Sequence, residues 1–215
     1  MKPNIIYIYD ALCSWCYGFS PVMLAVYENN RHDFDFEVIS GGMILEEHAG
    51  RLGDVVSYMK GSYQSVEDAT GIVFGPGFVH NLEKGNLLFS SEPPAIALSV
   101  FKSVKPERAV EFTHQLQNSI FFDGKDPGDM DVYRYLAVNF GIDPDVFEAK
   151  MSEPNFKEAA KYDFALARQL QVSSYPAVFI QESDSKFYLI ARGYADYETM
   201  ELRIKNVKEE MRFYS

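Results

Sequence analysis

Residues 4–21 read NIIYIYDALCSWCYGFSP and place two cysteines, Cys13 and Cys16, between a strand pattern and a helix pattern. The run at residues 4–9 is β-branched and aromatic without alternation, which is typical of a strand buried on both faces. Within residues 20–30, apolar side chains recur at helical spacing until two asparagines interrupt them. The cysteine pair therefore lies at a predicted strand-to-helix junction.

A cysteine at the N-terminus of a helix is well placed for chemistry. The unpaired backbone N–H groups and the helix dipole favour a thiolate there. We therefore predict that Cys13 is an exposed nucleophile and that Cys16, one turn later on the same face, is the resolving thiol. A C-x-x-C motif after a buried strand, holding the only two cysteines of the chain, is a strong indication of thiol-disulfide chemistry.

Other uses of the two cysteines are less well supported. A disulfide that closes only two intervening residues removes little entropy from the unfolded chain. A zinc site needs about four ligands, whereas the histidines are scattered singly, so we expect no metal. Two inert, buried thiols remain an alternative, because free cysteine is among the most buried residue types. The four histidines are His32, His48, His80 and His114.

The composition narrows the class of protein. The chain has 215 residues, of which 47% are hydrophobic and 15% aromatic, so it can form a packed core. Its formal net charge of -11 argues against nucleic acid or an anionic membrane as a partner. No run of eighteen apolar residues is present, and the start lacks the length and cleavage site of a signal peptide. We expect a cytoplasmic protein whose oligomeric state the sequence leaves open.

The remaining elements alternate between strand and helix signals. Residues 34–40 predict a second strand, parallel to the first. From 45 to 170 only helix signals are found, with starts near Ser91, Lys105, Asp129, Asp143 and Glu153. Strand patterns return at 177–180 and 187–191 as a hairpin, and a final helix begins near Asp196. We predict an α/β fold made of a first part (1–44), a helical insertion (45–170) and a last part (171–215).

With its C-x-x-C motif and with Ser174-Tyr175-Pro176 just before the hairpin, the chain resembles the thioredoxin superfamily over essentially its whole length, in particular the DsbA-like branch with a helical insertion. Residues 10–21 resemble the FrnE-like group of that branch, whose members are described as candidate protein-disulfide isomerases. The resemblance implies a thioredoxin-like fold and a cis-proline, Pro176, that faces the C-x-x-C motif. An ordinary proline at the start of a strand is the alternative for Pro176.

The resemblance also suggests how substrate is held. It implies that backbone near Tyr175 binds the main chain of the substrate. Trp15, Tyr17 and Tyr175 are candidates for an apolar groove beside Cys13, although aromatic residues are usually core. Asp10 could accept a proton from Cys16 if it is buried with a raised pKa, or it could simply bond the nearby turn.

The sequence predicts a thiol-disulfide oxidoreductase or protein-disulfide isomerase that acts on protein or small-molecule thiols and disulfides. The dipeptide Ser14-Trp15 differs from the Pro-His of the best-known DsbA pattern, so the direction of the reaction stays open. We expect no bound cofactor, with glutathione as a candidate redox partner. One alternative is an adaptor whose cysteines are a redox sensor or a relic. Another is a kappa-class glutathione transferase, although that class typically carries Ser where this chain has Cys13.

Overall fold

A four-stranded sheet lies at the centre of the computed structural model, which describes residues 2–45, 50–51, 56–85 and 88–213. The strands, in chain order, are β1 (Asn4–Tyr9), β2 (Asp35–Ser40), β3 (Gly50–Arg51), β4 (Leu88–Phe89), β5 (Ala177–Ser183) and β6 (Lys186–Arg192). The order across the central sheet is β2-β1-β5-β6. β1 and β2 are parallel, as predicted, and β5 and β6 form the predicted hairpin, antiparallel to β1.

The helices cover both faces of this sheet. They are α1 (Ser14–Asn30), α2 (Val56–Thr70), α3 (Pro76–Lys84), α4 (Glu92–Lys102), α5 (Ala109–Phe121), α6 (Met130–Asn139), α7 (Pro144–Met151), α8 (Pro154–Gln169) and α9 (Tyr197–Phe213), with a 3-10 turn at Pro106–Arg108. Proline occupies the first turn of α7 and α8, where its missing N–H costs no hydrogen bond. The helix starts predicted near Asp129 and Asp143 are confirmed, since both side chains cap the following helix.

Successive side chains of β1 point to opposite faces of the sheet, so they belong to two different core clusters. Ile6 and Ile8 pack in a cluster with Ala167 of α8. Tyr7 belongs to the larger cluster that includes Phe19 of α1. A strand that is buried on both faces is the structure that the unbroken apolar run of β1 predicts.

The segment between β2 and β5 differs from the prediction in one respect. Only helices were expected there, but β3 pairs antiparallel with β4, with Gly50 opposite Phe89. A two-residue strand is too short to show the period-2 pattern by which strands are recognised. The division of the chain into residues 1–44, 45–170 and 171–215 stays a prediction. In the part of the chain that the structure describes, no helix is long and apolar enough to cross a membrane.

Candidate functional site

Cys13 is the N-cap residue of α1, so the predicted strand-to-helix junction is confirmed. Its backbone is extended, with φ -83° and ψ 113°, and its Sγ accepts a hydrogen bond from the N–H of Cys16 at 3.3 Å. The same sulfur donates to the carbonyl oxygen of Tyr175 at 3.7 Å. The sulfur therefore lies between the first turn of α1 and the segment that leads into β5.

Both cysteines are buried free thiols, and the prediction that Cys13 is exposed is wrong. Only 6% of Cys13 and 0% of Cys16 is accessible to solvent. Cys13 belongs to the large core cluster and contacts the Tyr175 backbone, which comes from a distant part of the sequence, so the local pattern could not indicate its burial. Burial, and next the hydrogen bond with Cys13, raise the pKa of Cys16 well above its usual value. Cys16 is thus a thiol that needs a proton acceptor before it can attack.

The segment at Tyr175 and Pro176 meets the cysteine pair. The peptide bond between these two residues is cis, as the resemblance implied, and Pro176 is buried. Tyr175 is half-buried, and its hydroxyl donates to the carbonyl oxygen of Gly41 at 2.8 Å. Burial raises the pKa of Tyr175 to about 12, so this hydroxyl stays a donor at neutral pH.

Asp10, at the end of β1, is buried and fully engaged in hydrogen bonds. Its Oδ1 accepts from the N–H of Leu12 and from the hydroxyl of Ser91, both at 3.0 Å. Its Oδ2 accepts from the N–H of Met43 at 2.7 Å. Burial raises the pKa of Asp10 above its usual value despite these bonds. Asp10 therefore bonds the nearby turn, which was one of its two predicted roles. It is also buried with a raised pKa, which is the condition for the other role, that of a proton acceptor for Cys16.

Two of these partners were missed by sequence reasoning. Ser91 was expected to cap α4, but its side chain makes no capping bond and donates to Asp10 instead. Gln117 of α5 donates from Nε2 to the carbonyl oxygen of Asp10 at 3.2 Å. Both residues lie far from Asp10 in sequence, so no local pattern could have indicated these contacts.

The three aromatic residues proposed for a groove have different environments. Trp15 is partly buried and packs against the core. Tyr17 is 2% exposed and donates from its hydroxyl to the carbonyl oxygen of Val73 at 3.1 Å. Its ring lies 5.1 Å from the ring of Phe121. Tyr17 is thus mainly a core residue, beside a cavity of about 500 Å³ that α1 and the α2–α3 loop line.

Among the residues that the structure describes, no three His, Cys, Asp or Glu side chains come together in a way that could hold a metal ion. His114 of α5 instead lies between Ser20 and Asn118, with each ring nitrogen 2.9 Å from one of them. His48 lies outside the described residues.

Comparisons with known proteins agree with this arrangement. Residues 4–205 match the family of the DSBA-like thioredoxin domain. The ClpXP adapter protein SpxH of Shouchella clausii is 22% identical over 199 residues, which cover 86% of this chain. The chain spans 60% of the length of that curated relative.

Solved structures of two proteins show the same fold over almost their whole length. A candidate protein disulfide isomerase from Nitrosomonas europaea has a TM-score of 0.85 at 23% identity, with 98% of this chain and 99% of that chain covered. The cytosolic disulfide reductase DsbM from Pseudomonas aeruginosa has a TM-score of 0.79 at 20% identity, with 98% and 99% covered. DsbM has also been solved with GSH, where the TM-score is 0.77 at 20% identity, with 97% and 99% covered. The predicted α/β, DsbA-like thioredoxin fold is confirmed, and the FrnE-like group stays a prediction.

Proposed function

The chain belongs to the family of the DSBA-like thioredoxin domain, and from this premise we propose that it is a thiol-disulfide oxidoreductase with Cys13 and Cys16 as its catalytic pair. The observation that carries the proposal is the position of Cys13 Sγ at the N-cap of α1, 3.3 Å from the N–H of Cys16. A donor at that distance stabilises negative charge on the sulfur, which is the charge that a thiolate nucleophile carries.

In the first step, the Cys13 thiolate attacks one sulfur of a substrate disulfide. A bond forms between Cys13 Sγ and that sulfur, and the substrate's own S–S bond breaks. The second substrate sulfur leaves as a thiolate and takes up a proton from water. Trp15, Tyr175 and Pro176 are the residues that we propose to hold the substrate beside Cys13, because Tyr175 O lies 3.7 Å from the reacting sulfur.

In the second step, Cys16 loses its proton and attacks Cys13 Sγ. The Cys13–Cys16 disulfide forms, and the first substrate sulfur leaves as a thiol after protonation, so the substrate is reduced by two electrons and the enzyme is oxidised. We propose Asp10 as the acceptor of the Cys16 proton, because burial raises the pKa of its carboxyl group and thereby makes it a stronger base.

If glutathione keeps the Cys13–Cys16 pair reduced, the protein reduces or isomerises substrate disulfides. We propose that the protein acts in the cytoplasm as a reductase or isomerase of protein or small-molecule disulfides, without a bound cofactor. Two glutathione molecules would return the Cys13–Cys16 disulfide to the dithiol and become oxidised glutathione. Support comes from the name of DsbM, a cytosolic disulfide reductase, and from its structure with GSH.

The redox equilibrium of the pair tests this proposal. The protein is equilibrated in graded glutathione buffers, quenched in acid, and its free thiols are counted by mass. We expect a reversible transition between dithiol and disulfide. The Cys16→Ala variant should accumulate a mixed disulfide at Cys13, whereas Cys13→Ala should not. A pair that never closes, or a Cys16→Ala variant that traps nothing, would contradict the proposal.

A second candidate function is that of an adaptor, which the match to the ClpXP adapter SpxH favours. In that case the cysteines would sense redox state or have no catalytic use. A Tyr175 variant that loses its protein partner while Cys13 and Cys16 still cycle would support the adaptor. The kappa-class transferase alternative has less support, since Cys13 is intact, and conjugation of glutathione to an electrophile would reveal it.

A further inference from the structure

Gly41, the residue after β2, lies directly beneath the ring of Tyr175. A Cβ atom at position 41 would lie 2.2 Å from Cε1 and 2.3 Å from Cζ of that ring, far closer than real contacts allow. The Tyr175 hydroxyl donates to the carbonyl oxygen of Gly41 at 2.8 Å. The ring therefore packs on the backbone of residue 41 and is bonded to it at its tip.

Gly41 has little freedom to move away from the ring. It is buried, and its N–H donates to the carbonyl oxygen of Tyr9 at 2.7 Å, which extends the pairing of β1 and β2. Two residues later, the N–H of Met43 is held by Asp10. Its φ lies outside the left-handed region, so alanine is compatible with this backbone, and the three atoms nearest to a Cβ there all belong to the ring and hydroxyl group of Tyr175.

The backbone of Tyr175 connects this packing to the thiol. Its carbonyl oxygen accepts the S–H of Cys13 at 3.7 Å, so the residue that packs on Gly41 also contacts the reacting sulfur. A Cβ atom at position 41 would displace the ring and break its hydroxyl bond to Gly41, and we infer that this displacement also shifts the carbonyl group of Tyr175. Gly41 thus acts on Cys13 through Tyr175 and touches no reacting atom itself.

We propose that Gly41 is a positioning residue for the Cys13 thiol, because its missing side chain lets Tyr175 pack where its carbonyl oxygen meets Cys13 Sγ. The consequence for redox chemistry rests on the proposed oxidoreductase function. The dithiol with a protonated Cys13 contains the S–H···O hydrogen bond, whereas the Cys13 thiolate and the disulfide do not, because their Cys13 sulfur carries no hydrogen. Losing the contact should therefore favour the disulfide.

The test is Gly41→Ala, with two measurements. In graded glutathione buffers, we expect the equilibrium to move toward the disulfide by about twofold to fivefold, the range for one weak hydrogen bond. In the Cys16→Ala background, we expect iodoacetamide to alkylate Cys13 about threefold faster or more, because displacement of Tyr175 uncovers a thiol that is now buried.

Rescue distinguishes positioning from general damage to the fold. In a Tyr175→Ala background the ring is gone, so Gly41→Ala should change neither measurement further. Gly77→Ala is the matched control, since a Cβ there would lie 2.4 Å from the carbonyl oxygen of Asp123. It should lower the unfolding temperature but leave both measurements unchanged.

Equal effects of Gly41→Ala with and without the Tyr175 ring, or no effect at all, would overturn the proposal. If Gly41→Ala does not fold, Tyr175→Phe replaces it, because it removes only the hydroxyl bond to Gly41. It should shift both measurements in the same directions by less, and unchanged values would count against positioning. If the parent pair never forms a disulfide, the oxidoreductase function fails, and the alkylation rates alone decide the role of Gly41.

Discussion

At the scale of single residues, Asp10 is a buried carboxyl group whose ionisation opposes folding. Burial raises its pKa above the usual value of 3.8, although the N–H groups of Met43 and Leu12 lower it in part. A group with a raised pKa binds its proton more tightly in the folded than in the unfolded protein. Its contribution to stability is therefore fully present below the unfolded pKa and is lost as pH rises through the folded pKa.

This sign gives a prediction for Asp10→Asn, which cannot ionise. The variant loses an acceptor for the N–H of Met43, a cost that does not depend on pH. The free energy of unfolding of the parent should fall relative to that of Asp10→Asn as pH rises from about 4 to about 7. Urea unfolding of both proteins at several pH values measures the difference. A difference that is constant would show that Asp10 keeps an ordinary pKa, and a change in the opposite sense would show that folding lowers its pKa.

At the scale of secondary-structure elements, the two edges of the central sheet are capped by side chains of flanking helices. At the β2 edge, Lys102 of α4 donates to the carbonyl oxygen of Val38 at 2.9 Å, and Asp163 of α8 accepts from the N–H of Ser40 at 3.2 Å. Lys102 and Asp163 also pair with each other at 3.1 Å. At the β6 edge, Arg203 of α9 donates to a backbone carbonyl group at 2.7 Å. These side chains satisfy edge groups that could otherwise pair with another chain.

Removing only one member of the Lys102–Asp163 pair at the β2 edge should lower the free energy of unfolding substantially. Lys102→Met leaves the carboxyl group of Asp163 buried without its cation, and burial already raises the pKa of that group. We expect a loss of about 2–4 kcal/mol in the free energy of unfolding. The double variant Lys102→Met, Asp163→Leu should recover at least half of it, because no charge is left unpaired. Denaturant unfolding checks both values, and a double variant no more stable than the single one would mean that the edge bonds outweigh the buried charge.

At the scale of the whole molecule, the sequence predicted those elements and motifs that a pattern of consecutive residues reveals, but not the contacts between distant parts of the chain. β1 and α1 were identified because each has its pattern, an apolar run or a helical repeat, in consecutive residues. The strands β3 and β4 were missed because two residues are too few to show a repeat. Within the site, the cysteine motif was found in the same way. Its surroundings were not, because the bond between Tyr175 and Gly41 joins residues 134 positions apart. The contact between Cys13 and the carbonyl oxygen of Tyr175 likewise spans 162 positions.

The charge of the whole molecule should select among small disulfides. With a formal net charge of -11, the protein repels anions at long range and attracts cations, an effect that salt screens. Reduced protein should therefore react faster with cystamine, a cationic disulfide, than with oxidised glutathione, which is anionic. Raising the ionic strength from about 0.02 M to about 0.5 M should shrink the ratio of the two rates severalfold. The rate with the neutral hydroxyethyl disulfide, followed by mass in the same buffers, is the control and should stay nearly constant. A preference for the anionic disulfide that salt weakens would instead show that the potential at Cys13 is locally positive, against the charge of the chain as a whole.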